Sequence, residues 1–183
     1  RDYTLSRGLG DVYKRQADSN FHARFSAYER SYVYLIKVGE IRSTFLRNYV
    51  YHVSKPIDLK LLSKELKGII GTHDFSAFRS SQCSAKDPVK TISKASFEER
   101  DNLICIEFSA NAFLHNMIRI LIGTLVEIST NADSEYTITD IISSKNRALA
   151  GKTAPANGLY FLGAKYKDIQ NTNIPFKKFF DSL

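Results

Sequence analysis

KTISKASFEERDNLICIEFSANAFLHNMIRILIGTLVEI, residues Lys90 to Ile128, decides the fold. Its first part contains two runs of strand character, Lys90 to Glu99 and Leu103 to Ala110, joined by Asp101 and Asn102, a short polar link suited to a hairpin. In the second run Ile104, Ile106 and Phe108 alternate with Cys105 and Glu107, as they should when one face of a strand meets a core. The period then changes. Leu114, Ile118, Leu121, Leu125 and Ile128 recur at helical spacing and predict a helix from Phe113 to about Ile128. A hairpin therefore feeds directly into a helix.

Toward the N-terminus, ERSYVYLIKV at Glu29 to Val38 is rich in aromatic and β-branched residues and reads as a strand with Tyr32 and Tyr34 on one face. Pro56 and Asp58 precede LKLLSKELKGII, where Leu62, Leu66, Ile69 and Ile70 recur at helical spacing and Asp58 can serve as N-cap. Toward the C-terminus, Thr137 with Asp140 marks the start of a third helix ending near Asn146, and Leu159 to Tyr166 is the last strand. The order is strand, helix, strand, strand, helix, extra helix, strand. It predicts an α+β fold of the ferredoxin-like, split β-α-β-β-α-β kind: a four-stranded antiparallel sheet with helices on one face and the other face open for a partner. From about Asp168 onward no period is visible, and the run FKKFF suits either a short docked helix or a loose tail.

Of the 183 residues, 43% are hydrophobic and 25% charged, the composition of an ordinary globular protein with one domain's worth of core. No apolar run approaches the roughly 18 residues of a membrane span, and no signal-peptide pattern opens the sequence, so the expectation is a cytoplasmic protein without membrane contact. Cys83 and Cys105, with the scattered histidines His22, His52, His73 and His115, match no metal-ligand spacing. The formal charge of +7 points to an anionic partner, with nucleic acid leading. Residues 1–16, RDYTLSRGLGDVYKRQ, hold four basic residues against two acidic ones; without them the charge is +5. They lack amphipathic period and resemble translated adapter sequence, so they are set aside as a non-native leader. Residues 17–168 are expected to form the domain, and residues 169–183 a tail.

One polar residue stands out in the central helix. Arg119 is followed by ILIGTLV without a charge until Glu127. A guanidinium half buried among apolar groups calls for a carboxylate or phosphate partner, and the plainer alternative is a helix arginine bound to a backbone carbonyl or a surface phosphate.

Five segments carry a family resemblance: FHARFSA at Phe21 to Ala27, HDFSAFR at His73 to Arg79, NAFLHNMIR at Asn111 to Arg119, AGKTAPANGLY at Ala150 to Tyr160, and GLYFLGAKY at Gly158 to Tyr166. Together they resemble the C-terminal part of the tRNA pseudouridine synthase A family, in order, from about Asn20 to Tyr166. The resemblance implies an isomerase that turns uridine into pseudouridine in the anticodon stem-loop of tRNA, without a cofactor, as a homodimer whose subunits share the tRNA.

Such chemistry breaks the bond from uracil N1 to ribose, turns the base and rejoins it through C5. It needs a nucleophilic carboxylate, a stacking surface and a group that manages protons. In the family the nucleophile is the aspartate of a Gly-Arg-Thr-Asp-Ala-Gly loop that precedes the FHARFSA segment. This sequence contains no such loop, and Asp74, Asp87, Asp101 and Asp140 sit in no similar context. The expectation is a fragment that lacks its own nucleophile and is inactive alone.

By the same resemblance Arg119 is the arginine that pairs with that aspartate, and Tyr32 is the tyrosine that stacks on the target base and can act in proton transfer. Leu159 matches the apolar residue that closes the uracil pocket from the opposite side, and His115 is a near-site residue four positions before Arg119. On residue type alone Tyr32 and Leu159 would pass for core, and His115 for a structural histidine. Ser31 stands where the family often carries a second basic residue, which suggests a lost phosphate contact. Arg24, Arg30 and Arg79, with Lys86, Lys90 and Lys152, are candidate contacts to an RNA backbone, although most such side chains merely solvate a surface.

Two other classes compete. A non-catalytic ferredoxin-like RNA-binding module would carry paired aromatics within a Lys/Arg-Gly-Phe type motif on its central strands, and neither Lys90 to Glu99 nor Leu103 to Ala110 contains one. A small-molecule sensor of the same fold would need a glycine-rich ligand loop and leaves the positive charge unexplained.

Overall fold

A computed structural model describes residues 19–131, 134–167 and 175–181. The leader assigned to residues 1–16 and most of the expected tail lie outside the described residues. Six strands form one sheet: β1 (Glu29–Val38), β2 (Tyr51–Val53), β3 (Gly71–Asp74), β4 (Val89–Arg100), β5 (Leu103–Ala110) and β6 (Leu159–Lys165). Four helices accompany them: α1 (Leu59–Ile69), α2 (Met117–Thr130), α3 (Ile138–Ser144) and α4 (Phe176–Asp181). Strand β1 pairs antiparallel with β5 on one side and β6 on the other, and β5 pairs with β4. The spatial order β6-β1-β5-β4, with α1 and α2 in the connections, is the split β-α-β-β-α-β arrangement expected of the sequence.

Two additions change its outline. Strand β3 extends the sheet beyond β4, and β2 lies parallel to the end of β1, so the sheet is six-stranded and not wholly antiparallel. With only three and four residues, these strands are too short to display a period.

The hairpin link is formed as its residue types suggest. Asp101 and Asn102 both take positive φ, 52° and 60°, the conformation a two-residue hairpin loop demands and Asn and Asp tolerate best. Helix α1 starts on Asp58, whose Oδ1 accepts from the backbone N–H groups of Lys60 and Leu61. Helix α3 starts on a capping box between Thr137 and Asp140. The helical face of the sheet, with Tyr34, Ile36, Ile104, Ile106 and Phe108, buries Leu62, Leu66 and Ile69 of α1 against the apolar residues of α2. The HDFSAFR segment belongs to this core, since Phe75, Ala77 and Phe78 are fully buried around a 3-10 turn.

The opposite face is not fully open. Val33, Leu35 and Cys105 point there and pack against Phe176 and Phe180 of α4, which settles the FKKFF run as a docked helix. Burial pushes the Cys105 thiol up to about 12.

Helix α2 begins later than its apolar stripe suggests. Asn116 has φ 61°, in the left-handed region, and the helix runs from Met117. His115 therefore lies in the loop before the helix and does not share a helical face with Arg119. A left-handed residue breaks the run of α dihedrals that a helix starting at Phe113 would need.

Candidate active site

Strands β1 and β6 and the start of α2 converge on one cleft of about 510 Å³. Arg24, Tyr32, His115, Arg119 and Leu159 all line it, together with Phe113 and Asn116. Five of the residues singled out from the sequence are thus brought together from four separate segments. Arg30 and Arg79 are not among them.

Tyr32 owes its position to β6. Opposite it the ladder slips: Ser31 pairs with Gly163 but Tyr32 pairs with Phe161, leaving Leu162 as a bulge. Bulges beside a site re-aim the neighbouring side chain. The Tyr32 ring is held between two others, edge-on to Phe113 at 5.4 Å and tilted against Phe161 at 5.2 Å between centroids. Its hydroxyl makes no hydrogen bond to the described residues. Burial raises its pKa, with the Arg30 guanidinium acting in the opposite direction, so the phenol stays protonated at neutral pH. Ser31 faces the other way: it is buried and shares a hydrogen bond with Ser109 at 2.8 Å. Since alternate residues of a strand point to opposite faces, the side chain at that position faces away from this cleft.

Arg119, in the first turn of α2, is half buried. Its Nε donates to the Ala154 carbonyl at 2.7 Å and its Nη1 to Asn116 Oδ1 at 3.0 Å. No carboxylate or phosphate is its partner among the described residues. The backbone carbonyl weighed as the plainer possibility takes one donor only, and Nη2 has no acceptor there. No aspartate or glutamate lines the cleft among the described residues, so the charged side chains of its described wall are the cationic Arg24 and Arg119.

The segment that supplies Ala154 is itself fitted to α2. Ala154 N donates to Arg119 O at 3.0 Å, Gly151 N donates to Thr124 Oγ1 at 2.9 Å, and the Tyr34 hydroxyl donates to the Pro155 carbonyl. The approach requires Gly123, where a Cβ would lie 1.7 Å from the Lys152 carbonyl oxygen. Gly123→Ala must therefore push residues 152–154 away from the helix. We expect a loss of about 1–3 kcal/mol in urea unfolding of this chain, the usual cost of overpacking; an unchanged midpoint would contradict the fit.

Arg30 and Arg79 are committed elsewhere. Arg30 donates to the carbonyls of Arg24, Ala27 and Asn111, stapling the FHARFSA turn to the loop after β5. Arg79 donates to the Cys83 carbonyl at 2.7 Å. Arg30 places three bonds on backbone carbonyls and so holds loops, whereas Arg79 places one on the Cys83 carbonyl, and neither lines the cleft. Burial of the Cys83 thiol opposes its ionisation, but the N–H groups of Ala85 and His115 and the Arg79 guanidinium outweigh it and hold the thiol below its ordinary value. Lys90 turns back to the Asp87 and Val89 carbonyls, whereas Lys86 and Lys152 are exposed. Phe113, Phe161 and Asn116, which complete the site, were not singled out from the sequence. Their only signal is their place inside the quoted segments, Phe113 and Asn116 in NAFLHNMIR and Phe161 in GLYFLGAKY.

The α+β sheet thus carries an aromatic, cationic cleft in which one edge of the Arg119 guanidinium has no acceptor among the described residues. Residues 66–167 match the family model of tRNA pseudouridine synthase. Proteins named tRNA pseudouridine synthase A are similar to the chain: one from Acetivibrio thermocellus is 42% identical over 168 residues, covering 90% of this chain and 69% of that protein. One from Geobacillus sp. strain WCH70 is 41% identical over 152 residues, 83% and 61% of the two lengths. A third, from Buchnera aphidicola subsp. Acyrthosiphon pisum, is 35% identical over 162 residues, 88% and 61%. The chain belongs to the tRNA pseudouridine synthase A family, a family of isomerases. It spans between 61% and 69% of the length of these relatives. Nothing in these matches favours a non-catalytic RNA-binding module.

Proposed function

We propose that this chain supplies the arginine and base-stacking side of a uridine isomerase acting on the anticodon stem-loop of tRNA, and that the nucleophilic carboxylate comes from a Gly-Arg-Thr-Asp loop outside these residues. The observation that carries the reading is the unpaired Nη2 of Arg119 in a cleft lined by Tyr32 and Leu159 and free of carboxylates among the described residues. Arg119 would keep the incoming aspartate ionised and oriented. Tyr32, steadied by Phe113 and Phe161, would stack on the extruded uracil, with Leu159 closing the opposite side and His115 and Arg24 at the rim. The N1–ribose bond breaks, the base turns and a C5–ribose bond forms; C5 loses its proton and N1 takes one up, so the product is an isomer of the substrate.

Backbone contacts fall to Arg24 and the exposed Lys86 and Lys152, which suits reading an A-form stem by shape. The family resemblance supports a homodimer sharing the tRNA, in the cytoplasm. No described helix is long and apolar enough to cross a membrane.

The test is pseudouridine-specific chemical mapping of unmodified tRNA transcripts incubated with the full-length protein. Modification confined to the anticodon stem-loop is expected. Modification only in another arm would overturn the assigned substrate region, and none at all the activity.

A further inference from the structure

We propose that Asn116 is a positioning residue for Arg119, an inference that rests on the reading of Arg119 as the partner of a nucleophilic carboxylate.

Asparagine at the start of a helix ordinarily takes extended dihedrals and caps a backbone N–H with its side chain. This molecule shows the ordinary behaviour twice. Asp58 before α1 (ψ 104°) and Thr137 before α3 (ψ 166°) are extended and accept from the first turn. Asn116 does neither. Its φ of 61° and ψ of 7° are left-handed, and its side chain caps no N–H of α2. The amide oxygen goes instead to Arg119 Nη1, at 3.0 Å.

Helix α2 also has no acidic residue in its first turn and carries Arg119 there, a positive charge at the positive end of the helix dipole. Each local choice is poor for the helix. Together they present a guanidinium to the cleft. Asn116 and the Ala154 carbonyl grip it at two points, on Nη1 and Nε, and fix its plane while Nη2 is left with no acceptor among the described residues. A sparsely populated backbone conformation kept beside a site, where it costs stability, is the pattern expected of a residue retained for geometry.

The amide is suited to this task in a way a carboxylate is not. A neutral oxygen orients Arg119 without neutralising it, so the full charge remains for the nucleophile. An aspartate in its place would form an ion pair with Arg119 and compete with the incoming carboxylate.

Two variants of the full-length protein separate positioning from a merely structural role. Asn116→Gly accepts left-handed dihedrals without strain and removes only the amide. Its unfolding midpoint should be unchanged or raised, while kcat for pseudouridine formation falls roughly 10- to 100-fold, the scale of a misplaced reacting group, with KM for tRNA little altered. Asn116→Asp keeps the shape and should lose more of kcat than Asn116→Gly, again without loss of stability. A wild-type kcat in Asn116→Gly overturns the proposal, as does an Asn116→Asp variant more active than Asn116→Gly. Arg119→Ala run in parallel separates the two levels of the account. If it is inactive while Asn116→Gly is normal, only the positioning role fails. If Arg119→Ala is itself fully active, the reading of the site fails and this inference with it.

Discussion

Arg119→Ala in the full-length protein is expected to lower pseudouridine formation on the order of 10³-fold, the scale of removing a preorganised donor from a reacting charge. Binding of tRNA should stay close to normal. Arg119 is half buried in the cleft wall, and its two engaged donors hold the Ala154 carbonyl and Asn116. Phosphate contacts on the exposed Arg24, Lys86 and Lys152 would be untouched. Arg119→Lys should rescue poorly. An ammonium is a point charge, and it cannot at once bind the Ala154 carbonyl, bind Asn116 and offer a further planar donor to a carboxylate. Single-turnover rates beside filter-binding affinities make the comparison; a wild-type rate in the alanine variant would end the assignment.

The second large effect concerns Tyr32. Tyr32→Leu removes both the ring that bridges Phe113 and Phe161 and the hydroxyl that faces no described acceptor. Loss of base stacking alone is worth about 1–3 kcal/mol, so turnover should fall about 5- to 150-fold. Tyr32→Phe keeps both ring contacts. If the hydroxyl moves a proton, the phenylalanine variant should lose a factor on the order of 10²–10⁴ in rate relative to wild type while still binding tRNA. If the ring only stacks, the phenylalanine variant should be active and the leucine variant not. Full activity in both would make Tyr32 a packing residue that happens to border a cleft.

Much of this fold can be read from residue periods because each long element buries one face. The alternation of Ile104, Ile106 and Phe108, and the stripe of Leu114, Ile118, Leu121 and Leu125, report that burial directly. Asp58 and the Thr137–Asp140 pair announce helix starts because their side chains satisfy backbone donors there. The misses have equally physical causes. Strands β2 and β3 are held by their pairing with β1 and β4, a tertiary relation that leaves little trace in three or four residues. Asn116 conceals the break before α2, because Phe113 and Leu114 are apolar and in phase with the helix although they precede it.

The site divides along the same line. Tyr32, Leu159, His115 and Arg119 were singled out by family resemblance and Arg24 as a basic residue near a motif, and all five line one cleft. Arg30 and Arg79 were chosen as basic residues near motifs, and charge alone does not reveal that backbone carbonyls have claimed them. The bulge that re-aims Tyr32 and the close approach that Gly123 permits depend on segments far apart in sequence.

Pseudouridine-specific mapping of tRNA incubated in parallel with residues 17–183 alone, and with the same residues joined to a segment carrying the Gly-Arg-Thr-Asp loop, tests the central claim most directly. The joined protein should modify the anticodon stem-loop, and replacing the loop aspartate by asparagine should abolish this. Residues 17–183 alone should form no pseudouridine, because Arg119 then has no carboxylate to orient. Robust modification by residues 17–183 alone would contradict the account, for the nucleophile would then lie within this chain.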